Sequence, residues 1–314
     1  MADPVLAVIG EALIDLVHGA DGTATPRPGG SPLNVAIGLA RLHQPTAFLG
    51  RFGGDEYGRL LRAHAADSGV DLRRAIAAAE PSTVAAVHLD DHGAAQYEFT
   101  VEGTADFAWT DGELTIGPSV RVVHFGSLAS WLPPGDAVVA RRIAELNSAG
   151  AAVISYDPNV RPHLQPDAGA ARAQVEGSLR HAHVVKASDE DVRYLYGDEP
   201  VADVARRWQA SGPGLVVITR GADGPLALAN GTLLARPSFP IELVDTVGAG
   251  DAFTSGLLDA LVRRDVTTPE RLIRLTGSVL ADVLDEGALV AAITCSRAGA
   301  NPPTRAELIS VAAR

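Results

Sequence analysis

Short runs of β-branched and other apolar residues alternate, along most of the chain, with stretches in which apolar residues recur every three to four positions. The first pattern is typical of buried strands and the second of amphipathic helices. Strands are predicted over residues 5–10, 46–50, 120–125, 152–156, 183–186 and 215–219. Helices are predicted over residues 32–42, 56–68, 136–148, 188–196, 201–210 and 251–263. This alternation predicts an α/β fold with a mostly parallel central sheet.

Two segments interrupt the alternation. Residues 16–28 are rich in Gly, Thr and Pro and have no helical period, and residues 83–101 read as two strands around a turn at 90–93. Neither segment is large enough to bury a core of its own. We therefore expect a single domain over residues 1–314, with a small β-strand lid formed by about 16–28 and 83–109.

Composition and charge narrow the classes of function. The chain is 46% hydrophobic and 20% charged, which suits a large buried core. No run reaches the roughly 18 apolar residues of a membrane span, and the single cysteine, Cys295, can form neither an internal disulfide nor a CxxC metal pair. These features predict a cytoplasmic protein. The net charge of −12 argues against nucleic acid or anionic membranes as partners.

Residues 245–257, DTVGAGDAFTSGL, hold the strongest chemical signal. The turn Gly248-Ala249-Gly250 leads into an amphipathic helix, and the unpaired N–H groups at a helix start suit an anion. Lys186 is the only lysine, so no P-loop lysine is available. We expect the phosphate site to depend on backbone N–H groups, arginine and metal.

Asp251 stands at this helix start, where a carboxylate would repel a phosphate. Two interpretations remain open from the local pattern. The side chain caps or charges the helix start, or it accepts a proton from an attacking hydroxyl while neighbouring N–H groups stabilise the transferred phosphoryl group.

The segment DTVGAGDAFTSGLL resembles the C-terminal signature of the ribokinase-type sugar kinases, the phosphofructokinase B family. Upstream, GGSPLNVAIGLARL followed by FLGRFGGDEYGRLL resembles their N-terminal signature. The resemblance covers essentially the whole chain. It implies a ribokinase-like three-layer α/β/α fold and an ATP-dependent transfer of phosphate to a sugar hydroxyl.

The resemblance also implies roles for individual residues. Asp251 matches the catalytic base, and Gly248, Ala249 and Gly250 match the anion hole. The residues that match sugar-binding positions are Asp15, Gly30, Asn34 and Arg161. Three of these have a structural alternative, because Asp15 could be a strand-end turn residue, Asn34 a polar residue behind an N-cap at Ser31, and Arg161 a surface arginine.

On the nucleotide side, Thr219, Gly221 and Gly224 match a nucleotide-contacting turn, and we place Lys186 with them. Mg²⁺ is expected mainly on the ATP phosphates and water, with Asp191 as a candidate for the outer shell. Ser188 and Asp191 also have the spacing of a plain capping box. The resemblance also implies a monovalent cation site, with K⁺ as the candidate ion and mostly carbonyl oxygens as ligands, at these residues: Asp245, Val247, Thr294, Arg297 and Gly299.

Within the family the chain is most similar to fructokinases, which implies phosphorylation of D-fructose at its C6 hydroxyl. Val101-Glu102 departs from the pattern, because many fructokinases carry an arginine there. Kinases of 2-keto-3-deoxygluconate, ribose or nucleosides remain alternatives, as does an inactive sugar-binding homologue. A dinucleotide-binding oxidoreductase is disfavoured, since no GxGxxG lies between an early strand and helix. Lids of this family often meet in a dimer, so a homodimer is expected.

Overall fold

The computed structural model describes residues 3–18, 23–89, 95–150 and 152–312. The strands, in chain order, are β1 (Leu6–Ile9), β2 (Leu13–His18), β3 (Ala24–Gly29), β4 (Thr46–Leu49), β5 (Arg51–Phe52), β6 (Ile76–Ala77), β7 (Val84–Leu89), β8 (Ala95–Thr100), β9 (Val122–Gly126), β10 (Val153–Asp157), β11 (Val184–Ser188), β12 (Leu215–Thr219), β13 (Leu226–Ala229) and β14 (Thr232–Ala235). The helices are α1 (Ser31–Arg41), α2 (Glu56–Asp67), α3 (Asp136–Ala149), α4 (Ala168–Leu179), α5 (Asp189–Tyr196), α6 (Val201–Ala210), α7 (Ala249–Arg263), α8 (Pro269–Leu272), α9 (Gly277–Cys295) and α10 (Arg305–Ala312).

The large sheet has eight strands in the order β14-β13-β12-β11-β10-β9-β1-β4. The six strands from β12 to β4 run parallel, and the hairpin β13–β14 adds two antiparallel strands at one edge. The predicted mostly parallel sheet is therefore confirmed. The edge hairpin was not predicted.

Successive side chains of the central strands enter two different cores. Leu6 and Val8 of β1 pack with residues of α1, α2, α7 and α9. Ala7 and Ile9 pack into the second core, with residues of α3, α4, α5 and α6. Because helices cover both faces of the sheet, the molecule has three layers, α/β/α, as predicted.

A separate four-stranded sheet, which we call the small sheet, has the order β3-β2-β7-β8. Strand β2 begins at Leu13, three residues before the predicted segment, and the turn predicted at 90–93 lies outside the described residues. Residues 101–109 form no strand. They return to the body of the protein through a buried 3-10 turn, Ala105–Phe107.

Helix α7 begins at Ala249, two residues before the predicted start, because Gly248 takes a left-handed conformation (φ 74°) as its N-cap. Among the described residues, no helix is long and apolar enough to cross a membrane.

Candidate active site

A cleft of about 890 Å³ opens at the carboxyl ends of the parallel strands β10, β11 and β12. Ligands of open α/β sheets bind at this edge, and the volume falls within the usual range for small-molecule sites. Its lining is drawn from residues 159–162, 188–191, 219–222, 238–241 and 248–251, with Lys186, Tyr194, Gly224, Pro225, Leu243, Thr246, Phe253, Ala288, Ala291, Ala292 and Cys295. The two sequence signatures meet beside this cleft.

Asp251 joins the two signatures through hydrogen bonds. Ser31 Oγ donates to its Oδ1 (2.6 Å), and Asn34 Nδ2 donates to its Oδ2 (2.8 Å). Both donors lie in the first turn of α1, whose N-cap is Gly30 rather than Ser31. The predicted N-cap at Ser31 is thus wrong by one residue, and the Ser31 hydroxyl contacts Asp251. Sequence reasoning missed this contact, since no local pattern links the two positions.

The turn at Gly248–Asp251 presents the start of α7 to the cleft. The first intrahelical bond runs from Ala252 N to Gly248 O (2.8 Å), so the N–H groups of Gly250 and Asp251 precede the helical ladder. The Ala249 N–H instead donates to Thr246 O (3.1 Å). The geometry therefore favours Gly250 and Asp251 over Ala249 as anion-binding donors.

Lys186, in the middle of β11, is buried against this turn. Its Nζ donates to Asp157 Oδ2 (2.9 Å), and a Cβ built on Gly250 would lie 2.7 Å from the same Nζ. Burial alone would lower the pKa of Lys186, but the charge and hydrogen bond of Asp157, together with the charge of Asp251, raise it. The lysine is therefore cationic. The fold thus brings Lys186, which we placed with the nucleotide-contacting residues on sequence grounds, beside the turn at Gly250.

Asp15, Gly30 and Asn34 are not among the residues that line the cleft; they lie on the far side of Asp251. Burial raises the pKa of Asp15 to about 6, the Arg161 guanidinium opposes this shift, and the charge of Asp251 adds to it. The three charged groups are thus close enough to influence one another.

Gly30 holds the start of α1 close to the β1–β2 link. Its φ is 101°, and a Cβ there would lie 2.7 Å from Glu11 O. A side chain at this position would push α1, and with it Asn34, away from Asp251.

Thr219, Gly221 and Gly224 follow one another at the end of β12 and line the cleft. Gly221 and Gly224 both have positive φ, and a Cβ on Gly224 would lie 2.2 Å from Arg236 O. The lining also includes apolar side chains, among them Ile241 and Leu243, which are exposed. The sequence pattern before Val244 is strand-like, but residues 236–248 form no strand, and sequence reasoning missed their place in the cleft.

Asp191 is occupied by protein donors. Its Oδ2 accepts from Ser188 N and Oγ (2.9 and 2.7 Å), and its Oδ1 accepts from Val160 N (2.8 Å). The capping box with Ser188 is complete. These contacts favour the structural role that the sequence left open, in which Asp191 ties α5 to the loop before Arg161.

The residues predicted for a monovalent cation divide into two groups. Asp245 Oδ2 accepts from Gly299 N (2.8 Å), and its Oδ1 accepts from Val247 N (3.0 Å), so these three residues lie together. Thr294 Oγ1 donates to Val290 O within α9, and the Arg297 guanidinium pairs with Glu307. These bonds engage the two side chains only, whereas the ligands expected at this site are mostly backbone carbonyl oxygens.

Comparisons with known proteins agree with this architecture. Residues 4–307 match the model of the pfkB family carbohydrate kinases. Fructokinase of Klebsiella pneumoniae is 34% identical over 271 residues, which cover 85% of this chain and 87% of the relative. The crystal structure of fructokinase with bound ATP from Xylella fastidiosa has a TM-score of 0.90 at 25% identity and covers 98% of this chain and 97% of that one. A fructokinase double mutant from Vibrio cholerae O395, in a fructose-, ADP- and potassium-bound form, has a TM-score of 0.85 at 25% identity, with 99% of both chains covered.

The fold and the family match thus define a phosphoryl-transfer enzyme of the ribokinase-like type. The chain belongs to the pfkB family of carbohydrate kinases, as its sequence resemblance implied, and it is a sugar kinase.

Proposed function

We propose that the protein transfers the γ-phosphoryl group of ATP to the C6 hydroxyl of D-fructose. One observation carries the proposal. The Asp251 carboxylate accepts hydrogen bonds from Ser31 and Asn34 of α1, and Asp251 itself follows Gly250, which lies beside Lys186. A sugar hydroxyl at Asp251 and a phosphoryl group at the turn would meet at this point. The fructokinases among the relatives support the choice of acceptor.

In the proposed reaction Asp251 accepts the proton of the C6 hydroxyl while the sugar oxygen forms a bond to the γ-phosphorus. The bond from phosphorus to the leaving oxygen of ADP breaks, and fructose 6-phosphate and ADP result. The Gly250 and Asp251 N–H groups and Lys186 would stabilise the negative charge on the transferred group. Asp15, Asn34 and Arg161 would orient the sugar.

The described residues include no group of three or more His, Cys, Asp or Glu side chains placed to hold a metal ion, and Asp191 is occupied. We therefore propose that Mg²⁺ enters on the ATP phosphates and is held there and by water. The Asp245–Val247–Gly299 loop is the proposed place for K⁺. The small sheet would act as a lid that excludes water, and its outer face is where we expect a homodimer to form.

The charge of Arg161 near Asp15 favours a second candidate. A guanidinium at the acceptor side could bind the carboxylate of a sugar acid such as 2-keto-3-deoxygluconate. The two candidates differ in acceptor charge and share the same donor and base.

An acceptor screen separates these candidates. Phosphate transfer from MgATP would be measured with D-fructose, 2-keto-3-deoxygluconate, ribose and a nucleoside, each with and without K⁺. We expect the highest kcat/KM for fructose. A higher value for the sugar acid would replace the first candidate by the second, and sugar binding without turnover would indicate an inactive homologue.

Asp251→Asn tests the mechanism directly. Since general-base assistance contributes about 10²–10⁴-fold, kcat should fall at least that far while ATP binding and the melting temperature remain close to wild type. Asp259→Asn is the matched control, because Asp259 is a buried carboxylate of the same helix whose partners are Gln44, Arg263 and Arg305. Near-wild-type kcat for Asp251→Asn would refute the assignment of the base.

A further inference from the structure

Among the described residues, the chain passes four times between the body of the protein and the small sheet: from β1 to β2, from β3 to α1, from β6 to β7, and from β8 to the 3-10 turn Ala105–Phe107. Two buried carboxyl groups lie at the first and fourth of these crossings. Glu11 lies in the link from β1 to β2, and Asp106 lies in the 3-10 turn after β8; each is 1% exposed. Asp106 Oδ1 accepts from Ala12 N (2.7 Å), which ties the fourth crossing to the first. Thr83 and Thr104 share a hydroxyl hydrogen bond (2.7 Å), which ties the third crossing to the fourth.

Glu11 also reaches into the body of the protein. Its Oε2 accepts from Ala129 N (3.1 Å), in the 3-10 turn Leu128–Ser130 whose N-cap is Ser127. Within this turn the Ser130 hydroxyl donates to Ser127 O (2.7 Å). Glu11 thus connects two parts of the fold. It lies in the link from β1 to the small sheet, and its side chain bonds the turn at the end of β9.

From Ser127 the hydrogen bonds continue to the acceptor side. Asn159 Nδ2 donates to Ser127 Oγ (3.1 Å), and Arg161 Nη1 donates to Asn159 Oδ1 (2.7 Å). Both Asn159 and Arg161 line the cleft. The turn at residues 127–130 therefore joins Glu11, which bonds Ala129 N, to Arg161, which is reached through Ser127 and Asn159.

The backbone along this path is strained at two points. Ser127 has a φ of 51° and Asn159 a φ of 40°, which non-glycine residues rarely adopt. Such conformations persist where surrounding contacts hold them, and they concentrate at functional sites. Glu11 holds the turn that Ser127 begins, through its bond to Ala129 N.

We propose that Glu11 is a positioning residue, which fixes the base of the small sheet and, through Ser127 and Asn159, the guanidinium of Arg161 relative to each other. The inference rests on the proposed kinase function. Since Glu11 itself is buried away from the cleft, it acts on sugar binding and on water exclusion through its partners.

The raised pKa values of Glu11 and Asp106 support a role for Glu11 as a hydrogen-bonding group rather than as a purely ionic one. Burial raises the pKa of Glu11 to about 7 and that of Asp106 to about 6, and the charge of Asp106 adds to the shift of Glu11. A glutamine at position 11 would keep the size of the side chain and its capacity to accept and donate.

The test compares Glu11→Ala, Glu11→Gln and the control Asp71→Ala. Asp71 is also a buried carboxyl group, but it bonds Arg73 at the surface.

The kinetics of the wild-type enzyme are measured first, with the acceptor that the screen selects. A wild-type enzyme that is inactive on every acceptor would refute the proposed function and not this inference. For each variant, KM for sugar and for ATP, kcat, the melting temperature and the ratio of ATP hydrolysed to sugar phosphorylated are measured.

We expect Glu11→Ala to raise the sugar KM by about 10- to 100-fold, as misplacement of an orienting group does, and to increase wasteful ATP hydrolysis. The ATP KM should stay within about twofold, and Glu11→Gln should restore both properties to within about threefold of wild type. Asp71→Ala should lower only the melting temperature.

A purely structural Glu11 would give a different result. Glu11→Ala would then lower the melting temperature and leave the sugar KM and the hydrolysis ratio unchanged, or Asp71→Ala would reproduce its kinetic pattern. A Glu11→Gln variant as impaired as Glu11→Ala would also overturn the proposal. If Glu11→Ala does not fold, Ser127→Ala breaks the same path and must show the raised sugar KM.

Discussion

At the scale of single residues, Asp251 is held before any ligand arrives. Ser31 and Asn34 each fix one of its carboxylate oxygens, so the base loses little further freedom when the sugar binds. Ser31 can serve in this way because Gly30 takes the N-cap position of α1 and leaves the Ser31 hydroxyl unused by the helix. Because Gly30 and not Ser31 is the N-cap of α1, the Ser31 hydroxyl bonds Asp251 instead of capping the helix.

Lys186 can be tested by removing its charge together with that of its partner. Lys186→Met alone would leave Asp157 buried and unpaired, at a cost of about 3–5 kcal/mol, so the informative variant is Lys186→Met with Asp157→Asn. Loss of one stabilising group typically lowers kcat by about 10²–10³-fold, and we expect this of the double variant with a smaller change in the ATP KM.

Asp157→Asn alone is the control for the Lys186 experiment, since it leaves the lysine beside Gly250. It should retain more activity than the double variant in the same steady-state assay. Wild-type kcat in the double variant would show that Lys186 serves the fold and not the phosphoryl group.

Asp15 predicts a pH dependence. With its pKa raised to about 6, Asp15 is neutral below that pH and ionised above it, and the carboxylate is the better acceptor for sugar hydroxyls. We therefore expect kcat/KM for the sugar to rise as pH increases through about 6, because this ratio reports groups of the free enzyme. Asp15→Asn should lower the ratio and flatten the rise; an unchanged profile in that variant would assign it to another group.

At the scale of elements, α7 and α9 pack closely against each other beside the site. A Cβ on Gly256 of α7 would lie 2.9 Å from Gly287 Cα and 2.9 Å from Val290 Cγ2. The glycine therefore lets the helix that carries Asp251 pack closely against its neighbour.

Gly256→Ala should separate these helices and destabilise the protein by about 1–3 kcal/mol, as overpacking does. Gly177→Ala is the matched control, because Gly177 lies inside α4 with open space around its Cβ position. There alanine should stabilise the helix by about 0.5–1 kcal/mol. Chemical unfolding of both variants gives the comparison, and equal stability of the two would contradict the close-packing argument.

Helices α6 and α9 show which elements sequence reasoning can find and which it misses. The amphipathic period of α6 predicted its bounds, Val201–Ala210. Helix α9 was missed, because Leu280, Val283, Leu284 and Val290 are all buried in it and apolar residues surround much of its circumference. A helix that is buried on several sides has no single apolar face to detect.

At the scale of the whole molecule, the parallel sheet and the layers followed from the alternation of elements, and the motifs located both halves of the site. Contacts between distant elements did not follow. Lys186 of β11 lies beside Gly250 at the start of α7, and Glu11 bonds Ala129 N because β1 and β9 are neighbours in the sheet. Both contacts depend on how distant elements are arranged in the fold, and no local pattern in the chain encodes that arrangement.

The hydrogen bonds of Asp251 also have a consequence for folding. Its two donors lie 220 and 217 residues away along the chain, and contacts of such high sequence separation form late, since the entropy of closing the intervening loop must be lost first. Refolding chains would regain their helical content before the base and its partners meet. Recovery of enzymatic turnover would then mark the end of refolding, and a nascent chain would stay inactive until its last third had emerged and docked onto α1.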